Sequence, residues 1–256
     1  MVSSSITTTL VLGASGNTGR RLVEQLLAQQ HNVKAIVRSK ERFHEIIPPP
    51  TTTTSTTTIG QRNNLEVIEG NLLDMDDSML QDTIRGCDAV VSCLGHNMTF
   101  KGMYGKPQKL VTDSLKKAVK AIQDLQPSKP VKVILMSSNG VNNPNGQDNL
   151  RPWGERAVLC LIRALVPPHV DNEEAAAYLS KDIGKDDTNI EWVAVRPDDL
   201  IEGDVSDYEV LKIPNAGLFG AGQTTRANVG HFMSDLILND DTWNKWIYEM
   251  PVPSNV

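Results

Sequence analysis

The chain has 256 residues, 31 acidic and 25 basic, for a formal charge of −6 at pH 7. That length suits one large domain or two small ones, and 39% hydrophobic residues with 18 glycines exclude a disordered or collagen-like chain. The acidic balance leaves no global positive field for a phosphate backbone or an anionic lipid surface, so neither nucleic acid nor membrane is an expected partner.

Six short, branched, nearly continuous runs read as strands buried on both faces: Thr8–Leu12, Val33–Val37, Leu65–Ile68, Ala89–Cys93, Val131–Met136 and Glu191–Val195. Between them, apolar residues recur at helical spacing in Thr18–Gln30, Asp76–Arg85 and Gln108–Leu125. Trp153–Leu165 and Asn172–Lys181 make two further helices, with Pro167–Pro168 ending the first of them. Strands alternating with helices predict an α/β fold, a parallel sheet covered by helices. After Val195 the pattern loosens. Trp153, Trp192, Trp243 and Trp246 are expected in the core.

Residues 48–64 carry three prolines and then TTTTSTTT, too little hydrophobicity to offset the entropy of ordering them. They read as a flexible Thr-rich insertion within one domain spanning 1–256. Cys87, Cys93 and Cys160 are an odd count without C-x-x-C spacing, which fits a reducing compartment and excludes a thiolate zinc site. No apolar run reaches the roughly 20 residues a membrane span needs. The start MVSSSITTTLVLG lacks the basic and apolar regions of a secretory signal. The expected location is the cytoplasm, or an organelle stroma or matrix where a transit peptide has been removed.

The most informative stretch is VLGASGNTGRRLVEQLL, in which Gly13, Gly16 and Gly19 follow the first strand directly and open the first helix. This strand–turn–helix setting predicts a dinucleotide site. Gly13 gives the tight exit from the strand, Gly16 lets the backbone approach a pyrophosphate, and Gly19 permits close helix packing. Backbone N–H groups and the helix dipole hold the anion. About 20 residues on, a fold that prefers NAD places a carboxylate for the ribose 2′-hydroxyl. Here the second strand ends in Arg38, whose planar fork suits a 2′-phosphate, with Lys40 and Arg42 nearby. Arg20, Arg21, Arg38, Lys40 and Arg42 together form a local basic rim. The expected cofactor is therefore NADP(H).

GASGNTGRR, the strand ending in Arg38, SCLGHN after the fourth strand, LMSSNGV after the fifth and WVAVRPDDL after the sixth resemble the NmrA-like atypical short-chain dehydrogenase/reductases. The layout is similar to that of the biliverdin-IXβ and flavin reductases. The resemblance implies a Rossmann-type doubly wound parallel sheet with helices on both faces, and a small C-terminal substrate lobe built from residues 198–256. It implies that Gly13, Ser15, Gly16, Asn17 and Thr18, with Gly19, meet the pyrophosphate, and that Arg38 and Arg42 take the 2′-phosphate. Asn71, beside Leu72, stands where the family often has an adenine-side aspartate. Leu94, Gly95 and His96 would lie against the nicotinamide ribose, Ser137 and Ser138 at the end of the fifth strand, and Pro197 with Asp198 beside the carboxamide.

One departure concerns catalysis. The wider superfamily uses Tyr-x-x-x-Lys, whose lysine lowers the tyrosine pKa for proton exchange with a carbonyl. The nearest match, Tyr178 with Lys181, is one residue short, although an i,i+3 pair still shares a helix face. Candidate proton donors are therefore Ser138, His96 and, out of register, Tyr178. For each there is a plain structural role as well: a turn-capping serine, a histidine bonded to its loop, a tyrosine on a helix face. Cys93 is read as a buried structural thiol. One of Asp198 and Asp199 is a further candidate. HNMTFKGMYGKPQ, with Met98, Phe100, Met103 and Tyr104, could cover a flat apolar substrate.

Two functions follow. The first is an NADPH-dependent oxidoreductase passing hydride to a small conjugated, quinone- or flavin-like, or carbonyl substrate, as a monomer or homodimer. The second is a non-catalytic NADP(H) sensor acting through a protein partner.

Overall fold

Strands buried on both faces need cover on both sides, and the chain supplies it. A computed structural model describes residues 7–48, 64–96, 104–146, 148, 153–214 and 222–256. The strands β1 (Thr8–Leu12), β2 (Asn32–Val37), β3 (Leu65–Glu69), β4 (Ala89–Ser92), β5 (Val131–Met136) and β6 (Ile190–Val195) form one parallel sheet in the order β3-β2-β1-β4-β5-β6. The chain crosses from β3 over to β4, so the strand order reverses between β1 and β4. Ligands bind at such a reversal, beyond the carboxyl ends of the strands.

On one face Leu10, Leu12, Val90, Val133 and Leu135 pack with Leu80 of α3 (Asp77–Ile84) and Leu115, Val119 and Ile122 of α4 (Leu110–Leu125). On the other, Val11, Val91, Ile134 and Val193 meet Leu22, Val23 and Leu26 of α1 (Asn17–Ala28). Both layers use strict strand alternation, the doubly wound arrangement.

The chain after β6 forms short ribbons, β7 (Asp199–Ile201) with β9 (Gln223–Thr225) and β8 (Tyr208–Leu211) with β10 (Val252–Asn255). It also returns to the core. From α7 (Arg226–Leu238), Phe232, Met233 and Leu236 join the α1 layer, as do Trp243 and Trp246 of α8 (Asp240–Trp246). A Cβ on Gly230 would lie 3.0 Å from the Leu22 amide nitrogen and 3.1 Å from the Arg21 carbonyl carbon. Glycine at that position is what allows α7 so close to α1. Arg21, expected on a basic rim, sits at this helix contact and pairs with Glu24 at 3.3 Å.

Three expectations change. The helix expected over Asn172–Lys181 is α6 (Pro167–Ala177), followed by a π-helical turn Tyr178–Ile183. Pro167 and Pro168 begin it rather than merely end its predecessor, because prolines in a first turn remove only N–H groups that have no helical partner. Lys40–Ile46 forms an unexpected short helix, α2, whose amino end Ser39 caps by accepting from the Arg42 amide at 3.3 Å. Trp192, Trp243 and Trp246 are buried, but Trp153, at the start of α5 (Trp153–Leu165), is 85% exposed. The Thr-rich run, residues 49–63, lies outside the described residues.

Candidate functional site

The glycine loop joins β1 to α1 at the strand-order reversal. Gly13 has φ +76°, and a Cβ there would stand 2.7 Å from the Cys93 carbonyl oxygen, which no side chain can occupy. A Cβ on Gly19 would collide with the Gly13 carbonyl. The loop thus lies flat between the end of β4 and the first turn of α1. Gly16 is the N-cap residue and brings no side chain to the helix end, and the first turn carries no acidic residue. The first-turn amides have no acceptor within the helix, and with the positive end of the helix dipole they suit an anion.

A cleft of about 290 Å³ opens above this loop. The ends of β1, β2 and β4 and the turn after β3 bring to it Gly13, Ser15, Gly16, Arg38, Asn71, Leu72, Leu94, Gly95 and His96. Lys106, Leu110 and Ser114 close the side toward α4. Arg38 is exposed and makes no ion pair among the described residues. The Asn71 amide donates to Asp74 at 2.7 Å, so a carboxylate stands one turn away from the position where the family often has one. Ser114 is 0% exposed, yet among the described residues its hydroxyl has no hydrogen-bond partner. A buried hydroxyl left unpaired costs about 1–3 kcal/mol, and its place in the cleft lining means that a ligand can supply the missing partner. An anion cradle, an available guanidinium and an orphan hydroxyl together fit a phosphorylated dinucleotide.

Other expected cofactor residues stand back from the cleft. Thr18 and Gly19 are buried where α1 meets the sheet, Asn17 is exposed on its first turn, and Arg42 is exposed on α2. Ser137 and Pro197 are buried beyond the ends of β5 and β6, one strand and two strands from β4. The Ser137 hydroxyl, like that of Ser114, has no partner among the described residues.

His96 is the best-connected candidate. Its Nε2 lies 2.7 Å from Asp171 Oδ2, with both side chains buried. Asp171 also accepts from the Val111 and Thr112 amides, at 2.8 and 2.9 Å, and its own carbonyl accepts from the Thr112 hydroxyl. It therefore caps α4, using a residue that sequence reading passed over. No local signal could have found it, since the partners lie 59 to 75 positions away.

Ser138 is half-buried, and its Oγ accepts from the Gly140 amide at 3.2 Å. Ser138 lies just beyond β5 and is not among the cleft-lining residues. Asp198 is buried and accepts from the Asn139 amide group at 2.5 Å, while Asp199 is exposed in β7. The adjacent pair thus points to two environments. Cys93 lines the cleft, but burial pushes its thiol up to about 12, so it is no nucleophile. Tyr178 is not among the cleft-lining residues. Burial raises its phenol, and the cation over its ring, at 5.2 Å, is Lys116 rather than Lys181. Tyr104 donates to the Leu165 carbonyl at 2.6 Å. Met98, Phe100 and Met103 lie outside the described residues.

Comparison with known proteins agrees with this geometry. A family model described as NAD(P)H-binding matches residues 13–240. Oxidoreductase claK of Passalora fulva is 30% identical over 186 residues, covering 70% of this chain and 62% of claK. The chain spans about half the length of other curated oxidoreductases it matches. Among solved structures, oxidoreductase ylbE of Lactococcus lactis aligns with TM-score 0.65 at 17% identity, covering 98% of this chain and 91% of that one. ChuY of Escherichia coli O157:H7, described as an anaerobillin reductase, aligns with TM-score 0.63 at 18% identity, covering 97% of each chain. Both structural likenesses concern the fold. Among the described residues no helix is long and apolar enough to cross a membrane.

Proposed function

Because the chain belongs to the NAD(P)H-binding family, we propose that it is an NmrA-like, NADPH-dependent reductase of a small conjugated, quinone- or flavin-like, or carbonyl substrate. The observation that carries the reading is the cleft itself. It joins the amide-bearing end of α1, the guanidinium of Arg38 and the Ser114 hydroxyl in one space at the strand-order reversal.

Gly13, Ser15 and Gly16 would hold the pyrophosphate, and Arg38 would take the 2′-phosphate, for which its planar guanidinium is suited. Arg42, on the exposed first turn of α2, supports it at longer range. Asn71 and Leu72 bound the adenine end, and Leu94, Gly95 and Ser114 the nicotinamide end. The bound cofactor supplies the hydride; the chain supplies position, electrostatics and a proton. Reduction of a flavin- or quinone-like acceptor needs no Tyr–Lys dyad. ChuY's description as an anaerobillin reductase is consistent with a reductase.

A sensor without turnover is the second reading, favoured by one observation: Tyr178 stands outside the cleft lining, with its phenol raised rather than lowered. A panel of FMN, quinones, linear tetrapyrroles and simple aldehydes, with NADPH oxidation followed by absorbance, separates the two. Acceptor-dependent oxidation supports the reductase; tight NADPH binding with no oxidation by any acceptor supports the sensor.

A further inference from the structure

We infer that Lys117 is the positioning residue that holds the adenine wall of the cleft and so sets how tightly the site grips the adenine half of the cofactor; the inference rests on the NADPH-binding part of the proposed function and deepens it. The wall is the short segment after β3. Gly70, Asn71 and Leu72 of that segment line the cleft, and Leu110 and Ser114 line it on the side of α4. Leu110, Ser114 and Lys117 stand at i, i+4 and i+7, which is one face of a helix. The face that borders the cleft therefore continues, one turn on, into a lysine. Lys117 is half-buried and is not itself a lining residue.

The segment folds into a single 3-10 turn, Leu72–Asp74, whose hydrogen-bond geometry is poor and whose last carbonyls have no partner within the turn. It depends on anchors at both ends. At its start the Gly70 amide donates to the Val37 carbonyl at 2.8 Å, which fixes it to the end of β2, next to Arg38. Within it, the Asn71 carbonyl accepts from the Asp74 and Met75 amides at 2.9 and 3.1 Å. At its end the Leu73 and Met75 carbonyls both accept from Lys117 Nζ, the first at 3.0 Å. Among the described residues these two bonds are the ones that join the segment to α4. A cation at the carboxyl end of a helical turn is also electrostatically favoured. Leu72 and Met75 are buried in the same core as Leu115 and Ala118 of α4, but apolar contact is non-directional. Packing presses the segment against α4, and the lysine decides where it stops.

Without Lys117 the segment stays tied to β2 while its other end is released, so the spacing between Leu72 and Leu110 across the cleft is no longer set. The glycine loop and Arg38 keep their places, because β1, α1 and β2 hold them. A loss confined to the adenine half of the ligand is therefore the signature of this role. Lys34 of β2 supplies the matched comparison: its Nζ donates to the Thr83 and Arg85 carbonyls at 2.8 and 3.4 Å, a clamp of the same kind on the end of α3. None of those three residues lines the cleft.

Lys117→Met keeps most of the side-chain stem and removes its donors. Calorimetric titration should show its affinity for NADPH, and for adenosine 2′,5′-bisphosphate as the adenine half alone, each lower by roughly 10-fold, with kcat at saturating NADPH unchanged. Lys34→Met, which loses a clamp of the same kind, should bind both ligands as the wild type does. If Lys117→Met does not fold, Lys117→Gln, which keeps one donor group on the turn, carries the same comparison. A Lys117 variant that loses NADPH but holds adenosine 2′,5′-bisphosphate at wild-type affinity overturns the inference. If the wild type binds both ligands and the Lys117 and Lys34 variants bind them alike, the inference fails alone; if the wild type binds neither, the cofactor reading fails and the inference with it.

Discussion

Asp171 reaches from α6 to His96, Oδ2 to Nε2 at 2.7 Å, while the same carboxylate accepts from the Val111 and Thr112 amides. One buried group thereby ties the loop after β4 to the first turn of α4, and both line the cleft. Asp171→Ala would strand a buried imidazole and two helix-end amides together. The expected loss is roughly 2–4 kcal/mol, read as a lowered urea midpoint, with weaker NADPH binding from a displaced Gly95–His96 segment.

Arg38 governs the choice of cofactor. Arg38→Asp removes a charge-assisted fork and places a carboxylate where a 2′-hydroxyl can donate to it. NADPH affinity should fall about 10- to 100-fold while NADH affinity holds or rises, measured by fluorescence titration with each. Retained NADPH preference would mean that another cation reads the phosphate.

The glycine loop has no room to spare. Gly19→Ala would drive a methyl into the Gly13 carbonyl, and Gly13 cannot retreat because the Cys93 carbonyl lies behind it. A cost of roughly 1–3 kcal/mol is expected, seen as a lower melting temperature together with lost cofactor binding.

Why these parts were legible in the sequence, and others were not, is physical. The six strands emerge within one residue of their observed ends, because strands covered on both faces are nearly continuously apolar; β3, at a sheet edge, is the exception, with no fully buried residue. The glycine loop and Arg38 are equally plain, since a tight βα turn is a local demand. Helix α2 hid because Phe43 is its only buried residue among six polar or half-exposed ones. The ribbons after Val195 are three or four residues long, too short for a period to show. Asp171 passed unnoticed because its partners, His96, Val111 and Thr112, are distant in the sequence, and α6 has no strongly apolar stripe to announce which side faces in.

Glu173 makes stability depend on acid. Its folded-state pKa of about 2 lies below the ordinary 4.5, so its stabilisation is present at neutral pH and is lost as pH falls through that interval. With solvent screening of the half-buried group allowed for, the loss amounts to roughly 1–2 kcal/mol. Urea unfolding of wild type against Glu173→Gln, from neutral pH down to about pH 3, should show the wild type losing its advantage across this range.

The thiols report burial. Cys93 and Cys87 are pushed up to about 12 and about 11 by burial, whereas Cys160 on α5 is exposed. At about pH 8 a thiol reagent should titrate Cys160 alone in the folded protein and all three cysteines in denaturant. Rapid modification of Cys93 in the native state would contradict the site as described.

Hydride transfer is the central claim, and isotope labelling tests it most directly. NADPH deuterated at the transferring position of its nicotinamide, incubated with a carbonyl or conjugated acceptor, should be oxidised at an enzyme-dependent rate and leave deuterium on a carbon of the product. NADPH that binds tightly but stays reduced, or a product that carries no label, would contradict the account.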